Sequence, residues 1–184
     1  MDYIAQKAKE LNLEPFYIHV LTLKGGAFDI CTGSGRPDMH HYGVGGLKQH
    51  TTEVMQLCFS SMQTLGLQLN EKELFLSVLY HDVGKMWDYD YRPTDIPEWV
   101  STDHKKRVYH ICRSAIEWNL ICCRMEITPS LCDNVTHNIL AHHCLPEWKS
   151  PVSPQSREAW LLHLCDGISA RMDDNVPLDS HSTR

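Results

Sequence analysis

Between residues 74 and 86 apolar side chains return at helix spacing (Leu74, Phe75, Val78, Leu79, Val83, Met86), and the same stretch reads His81-Asp82-Val83-Gly84-Lys85. Asp82 falls four residues after Val78, which turns its carboxylate toward the inward side of the helix. A carboxylate buried beside an imidazole is costly unless something compensates its charge. A divalent metal is the simplest compensation, because imidazole and carboxylate are both good ligands for transition metals. Whatever fold the chain adopts must therefore bring further ligands to this segment. The candidates stand in order along the chain: His50 upstream, then His110, the pair His142-His143, and Asp166.

The rest of the pattern is helical. Residues 2–13 carry Ile4, Ala8 and Leu11 at helix spacing, and from residue 46 Leu47, Val54, Leu57, Cys58, Met62 and Leu65 form one apolar face that includes His50. The next helix starts near Asn70, a good N-cap, with Glu71 and Glu73 in its first turn. Further helices are expected over 103–123, 129–143 and 156–173. Residues 14–22 fit helix or strand, and the Gly/Pro-rich run KGGAFDICTGSGRPDMHHYGVGG reads as a long loop. Residues 87–102 read as an aromatic, acidic, proline-containing loop. No series of strands with period-2 alternation occurs, so the expectation is an all-α bundle of about five to seven helices in one domain, with a frayed tail after Asp174.

Composition excludes several functions. A net charge of −6 argues against a surface that grips long duplex nucleic acid through many phosphates. No apolar run approaches the roughly 18 residues that span a bilayer. The eight cysteines form no C-x-x-C pair, and MDYIAQKAKELNLEP is an amphipathic helix pattern rather than a signal sequence. Reduced cysteines used as small apolar residues fit a soluble cytoplasmic protein.

A single buried histidine is ordinarily a hydrogen-bonded structural residue, and that reading suffices for His19, His104, His163 and His181. It fails for His50, His81, Asp82, His142, His143 and Asp166, which fall on four expected helices at or beside their apolar faces. Burying so many ionisable groups without a metal would cost several kcal/mol. Periodicity leaves one ligand open, since His104 lies closer than His110 to the stripe Val108, Ile111, Cys112, Ala115, Asn119, Cys122.

Taken in order, these residues resemble the HD-domain metal-dependent phosphohydrolases, and within them the bacterial HD-domain 3′–5′ exoribonucleases. HHYGVGGLKQHTTEV (40–54) is similar to that family's HHA-x-x-GGL-x-x-HT segment, and LSVLYHDVGK (76–85) to its LLHDIGK core. NILAHHCLPEWKSPVSPQSREAWLLHLCD (138–166) is similar, without a gap, to ILSHHG…SPV-x-P…EA-x-x-LH-x-AD. The resemblance covers roughly 38–172 and implies a single HD domain with its core at 38–173 and an N-terminal extension at 1–37. It implies two divalent metals, from among Mn, Fe, Co, Ni, Zn and Mg. His50, His81, Asp82 and Asp166 would hold one, and His110, His142 and His143 the other, with Asp82 bridging. A hydroxide between them would attack phosphorus in a nucleotide or short nucleic-acid substrate. The family's Gly-His position maps onto Tyr109-His110 and selects His110 over His104. Lys85 is assigned to the phosphate charge, the alternative being a lysine on a solvated face. His41, beside GVGG, is a substrate contact or part of a structural turn, as is His40. His137 and His163 would orient ligands rather than act as ligands.

The same metal scaffold also admits a di-iron oxygenase acting on a small organic molecule, or a non-catalytic nucleotide sensor. Departures from the family bear on substrate choice. Cys144 and Lys149 stand where glycines are expected, Ser169 stands where a second aspartate is expected, and the family's N-terminal nucleic-acid-binding barrel has no counterpart in these 184 residues.

Overall fold

The computed structural model describes residues 2–94 and 98–173. Its helices are α1 (Tyr3–Leu11), α2 (Glu14–Thr22), α3 (Gly46–Thr64), α4 (Glu71–Tyr80), α5 (Lys85–Asp88), α6 (Asp103–Arg107), α7 (His110–Arg124), α8 (Pro129–Ala141) and α9 (Arg157–Met172). The ambiguous segment at 14–22 is helical. The expected frayed tail, His181 included, lies outside the described residues. The all-α expectation holds, with one small addition: β1 (Tyr89–Arg92) and β2 (Glu98–Ser101) pair antiparallel within the segment read as loop. Tyr91 sits directly opposite Trp99 and Arg92 opposite Glu98, an aromatic and an opposite-charge pair of the kind that stabilise two-stranded ribbons.

Helix α4 is the axis of the molecule. Leu74, Phe75, Leu76, Ser77, Val78, Leu79 and Tyr80 are all buried, so the helix has no solvent face. It packs against α1, α2, α3, α7, α8 and α9. The expected cap is present, with the Asn70 side chain accepting from Glu73 N at 3.2 Å. Helices α1 and α2 share this core through Ile4, Phe16 and Val20, and the loop that follows is tied to α3 by Leu47 N donating to Cys31 O at 2.9 Å.

A polar seam runs through the apolar core. Buried Glu73 accepts from the Asn134 amide at 3.0 Å and the Asn138 amide at 3.1 Å. Asn138 also donates to Ser77 Oγ at 2.9 Å and accepts from Ser156 Oγ at 3.0 Å. Ser156 in turn caps α9, accepting from Ala159 N at 3.0 Å. One buried amide thus fixes how α4, α8 and α9 meet, and these helices position the site described below.

Two long-helix expectations need correction. The 103–123 helix is broken at Tyr109, whose backbone has φ 67° and ψ 150°. Beyond the break the buried face of α7 is Ile111, Ser114, Ala115, Trp118, Ile121 and Cys122, with Cys112 and Asn119 turned outward. The α4 helix likewise stops at Tyr80, and His81–Gly84 form a turn before α5. Leu65, placed on the apolar face of α3, is 69% exposed.

Asn138→Ala should destabilise the fold by about 1–3 kcal/mol, the cost of leaving buried polar partners unmade. Leu65→Ala should stay within about 0.5 kcal/mol of wild type, as an exposed position does. Denaturant unfolding of the two variants checks both values.

Candidate metal centre

The turn after α4 places His81 and Asp82 at the floor of a cluster supplied by α3, α7, α8, α9 and the turn following α8. Gly84 makes that arrangement possible. A Cβ there would overlap the His110 carbonyl oxygen and lie 2.7 Å from its Cα, so only glycine lets the turn touch the start of α7. Gly84 N donates to Ser114 Oγ at 2.9 Å and locks the contact.

On one side of Asp82, His50 Nε2 lies 2.9 Å from Asp166 Oδ1 and 3.4 Å from Asp82 Oδ2. His81 Nε2 is 3.4 Å from both Asp82 Oδ2 and His50 Nε2. On the other side, His110 Nε2 and His142 Nε2 lie 3.4 and 3.7 Å from Asp82 Oδ1. The ligand atoms of His110, His142 and His143 lie within 4.8 Å of one another, as do those of His50, His81, Asp82 and Asp166. The structure thus brings together all seven residues singled out in the sequence, in two groups that meet at Asp82.

The outer ring nitrogens show which way these groups face. His81, His142 and His143 Nδ1 lie 2.8, 2.7 and 2.8 Å from the carbonyls of Val78, Ile139 and Trp148. A carbonyl only accepts, so each Nδ1 carries a hydrogen and Nε2 is the atom each ring turns inward. His110 Nδ1 meets the Asp88 carboxylate at 3.2 Å with the same consequence. For His50 the outer partner is Ser169 Oγ at 3.0 Å, and Ser169 gives its own hydrogen to Glu53 at 2.9 Å, so His50 Nδ1 donates as well.

Five inner ring nitrogens therefore face a cluster built around one buried carboxylate. Asp82 Oδ1, His110 Nε2 and His142 Nε2 are the buried side-chain nitrogens and oxygens without a hydrogen-bond partner among the described residues. A buried carboxylate oxygen and two imidazole nitrogens left without partners at one point are suited to a cation. The residues present suit a divalent transition metal, with four N/O donors on one side and three imidazoles plus a shared carboxylate on the other.

The electrostatics match. Burial disfavours charge on Asp82, but Lys85 and His81 outweigh it and hold the carboxyl well below its usual range. Asp166 is held down in the same way, chiefly by His50 against the cost of burial. Burial, then repulsion from His143, keeps His142 far below its ordinary 6.5, and burial with His110 nearby lowers His143 to about 4. His50 goes the other way: burial opposes its charge, yet the bonds to Asp166 and Asp82 raise it.

Lys85 is buried, with Nζ 2.6 Å from Asp82 Oδ2, which rules out the solvated-face alternative. His110, not His104, faces the cluster. His104 stands behind it, bonded to the other oxygen of Asp88 at 3.1 Å and accepting from Arg113 Nε at 3.2 Å. His163 meets the His142 carbonyl at 2.7 Å and so supports a clustered residue. His137 accepts from Gln155 N at 3.0 Å and serves the loop before α9 rather than the cluster. His41 Nε2 meets Glu53 of α3 at 2.8 Å and its Nδ1 meets His40 at 3.1 Å, which ties the turn to that helix.

Asp88, Glu53 and Ser169 were not read from the sequence as orienting groups. Asp88 sat in a presumed loop, and Ser169 registered only as a missing aspartate. The structure shows Glu53 behind it, so that the pair completes the hydrogen-bond chain to His50. The two other departures share one cause: Cys144 and Lys149 have φ of 67° and 69°, a left-handed backbone where glycine is the unstrained choice.

The metal-free protein should lose stability as pH falls. His19, His40, His41, His142 and His143 are held below 6.5 and His50 above it. Groups lowered in the folded state take up more protons when unfolded, so their contribution is complete above pH 6.5 and is lost on descending toward pH 4, with His50 opposing. Thermal melts after chelation should give Tm values that fall steadily from pH 7 to pH 4.5. A Tm that rises over that interval contradicts the account.

Comparison with known proteins gives the same picture. The family model described as "HD domain" matches residues 47–171. Proteins named 3′-5′ exoribonuclease YhaM are similar: that of Oceanobacillus iheyensis is 29% identical over 134 residues, 73% of this chain and 41% of that protein. Those of Halalkalibacterium halodurans and Bacillus subtilis are 31% and 28% identical, again over 73% of this chain and covering 40% and 41% of theirs. The chain thus spans about two fifths of the length of these curated relatives. No solved structure matches it significantly. No helix among the described residues is long and apolar enough to cross a membrane. With its matched segment running from α3 to α9 and enclosing every residue of the cluster, the chain belongs to the HD domain family.

Proposed function

We propose that this chain is a metal-dependent hydrolase that cleaves a phosphoester bond in a nucleotide or a short nucleic-acid strand. His50, His81, Asp82 and Asp166 would hold one divalent cation. His110, His142 and His143 would hold a second, with Asp82 shared. The observation that carries this reading is the convergence of Asp82 Oδ1, His110 Nε2 and His142 Nε2, three buried atoms without a hydrogen-bond partner among the described residues. The name 3′-5′ exoribonuclease borne by the relatives supports a phosphodiester as the bond and RNA as the material. The net charge of −6 favours short strands over long duplexes.

When bound, such cations lower the pKa of water toward neutrality and draw charge from a phosphate oxygen. The chain's own residues do the rest. Outer hydrogen bonds fix the imidazoles, and burial keeps His142 and His143 uncharged at neutral pH, so much of the donor set is oriented before any ligand arrives. Asp82, kept ionised, unites the two halves. Lys85, the ammonium nearest Asp82, is assigned to the charge that develops on the phosphate. His163 holds the His142 backbone, and the His40-His41 turn is assigned to substrate. We take 38–173 as the catalytic core and place the activity in the cytoplasm, a setting supported by eight cysteines that are all free thiols.

Two substitutions test the reading. Asp82→Asn should reduce hydrolysis of a chromogenic phosphodiester with Mn²⁺ by about 10³-fold or more, and lower bound metal measured by elemental analysis. Full activity in that variant would discard the mechanism. Asp88→Asn removes the group that orients His110 and should weaken metal affinity about 10–100-fold while leaving the fold intact. Metal titrations of the two proteins separate a lost ligand from a misoriented one.

A further inference from the structure

Beside the His110–His142–His143 half of the cluster lies a patch that the proposed chemistry does not use. The Tyr109 ring lies against His110 at a tilt of 45°, with centroids 4.2 Å apart, and Lys149 Nζ rests 4.4 Å over the Tyr109 ring. Lys105 Nζ lies 4.1 Å over the neighbouring Tyr89 ring and donates to its hydroxyl at 2.6 Å. Neither ammonium has a carboxylate within salt-bridge reach among the described residues, although the chain as a whole is acidic. The backbone points the same way. Lys149 holds a left-handed conformation (φ 69°) and Tyr109 a strained one (φ 67°), an arrangement with a cost of order 1 kcal/mol per residue that side chains without a task rarely keep.

We propose that Lys105 and Lys149, set over the rings of Tyr89 and Tyr109 beside His110, form a subsite for the phosphate next to the scissile one in a short nucleic-acid strand. This rests on the phosphohydrolase reading above and assigns it a substrate with at least two phosphates. The short link between α6 and α7, where Tyr109 N donates to the His104 carbonyl at 3.2 Å, carries both Lys105 and the ring under Lys149; partial burial, opposed by Asp88, holds Lys105 below the usual lysine range, and repulsion from Lys85, Lys149 and Arg36 adds to it. An anion placed between Lys105 and Lys149 relieves that repulsion. The tyrosine rings give the ammonium stems a rigid platform and keep each charge directed rather than mobile. Lys149 stands where the resemblance leads to glycine, so the subsite is a feature of this chain rather than of the scaffold.

The test uses the full chain and two variants. Lys149→Gly relieves backbone strain and should not lower Tm, so it separates binding from folding; Lys105→Gln keeps a donor for the Tyr89 hydroxyl. The probe is fluorescein-labelled hexauridylate, read by fluorescence anisotropy on metal-free protein at fixed salt, with kcat/KM on Mn²⁺-loaded protein as a second readout. Each variant should raise the Kd for the hexamer about tenfold, as expected for one charged phosphate contact. The ratio of kcat/KM for the hexamer to that for the p-nitrophenyl ester of uridine 5′-phosphate should fall by a similar factor. Unchanged hexamer binding in both variants, or equal losses on the two substrates, overturns the subsite. If wild type binds the hexamer, the variants lose that binding, and nothing is cleaved with any metal, the hydrolase reading fails and the subsite stands.

Discussion

The interaction on which the structure depends is the burial of the Asp82 carboxylate. It is 2% exposed, one oxygen meets the Lys85 ammonium at 2.6 Å, and the other has no hydrogen-bond partner. A carboxylate in that position is tolerable only if the surroundings supply positive charge. Lys85 supplies part of it. The remaining neighbours are imidazoles whose outer nitrogens donate to carbonyls or to Asp88, so it is Nε2 that each ring turns toward Asp82. The site thus gathers nitrogen and oxygen atoms suited to a cation.

That requirement explains features far from the cluster. Helix α4 has to be buried on every side to deliver His81 and Asp82 to the centre, and a helix without a solvent face must meet its neighbours along fixed lines. The Glu73–Asn138–Ser77 seam fixes those lines by hydrogen bonds that admit one register. Gly84 allows the turn to touch α7, and Asp88, after a single further turn of helix, caps that helix through His110 N at 3.2 Å while orienting the same residue's ring. One carboxylate therefore sets both where α7 begins and how its first side chain points.

Most of this was legible in the sequence because the ligands fall on strongly periodic helices. The apolar stripe of α4, the Asn70 cap and the inward position of Asp82 follow from spacing alone. Where the reading failed, local chain geometry had overruled periodicity. The break at Tyr109 rotates α7, so the stripe through Cys112 and Asn119 turns outward and His110 comes into line with buried Ser114. Spacing favoured His104 for that reason; only the family pattern selected His110. The four-residue strands of the hairpin were too short to show alternation. His41, beside glycines, reads as a substrate contact or part of a structural turn, and nothing in spacing announces that Glu53 of α3 meets its ring. Glu53 and Ser169 are separated by most of the chain, and their joint service to His50 leaves no mark on spacing.

The central claim is that Asp82 is shared between two cation sites, and anomalous diffraction from crystals grown with Mn²⁺ tests it most directly. The account predicts two anomalous peaks per chain, one among His50, His81, Asp82 and Asp166 and one among His110, His142, His143 and Asp82. Density on the His50 side alone, with the orphaned atoms of His110 and His142 still facing no ion at saturating metal, would contradict it.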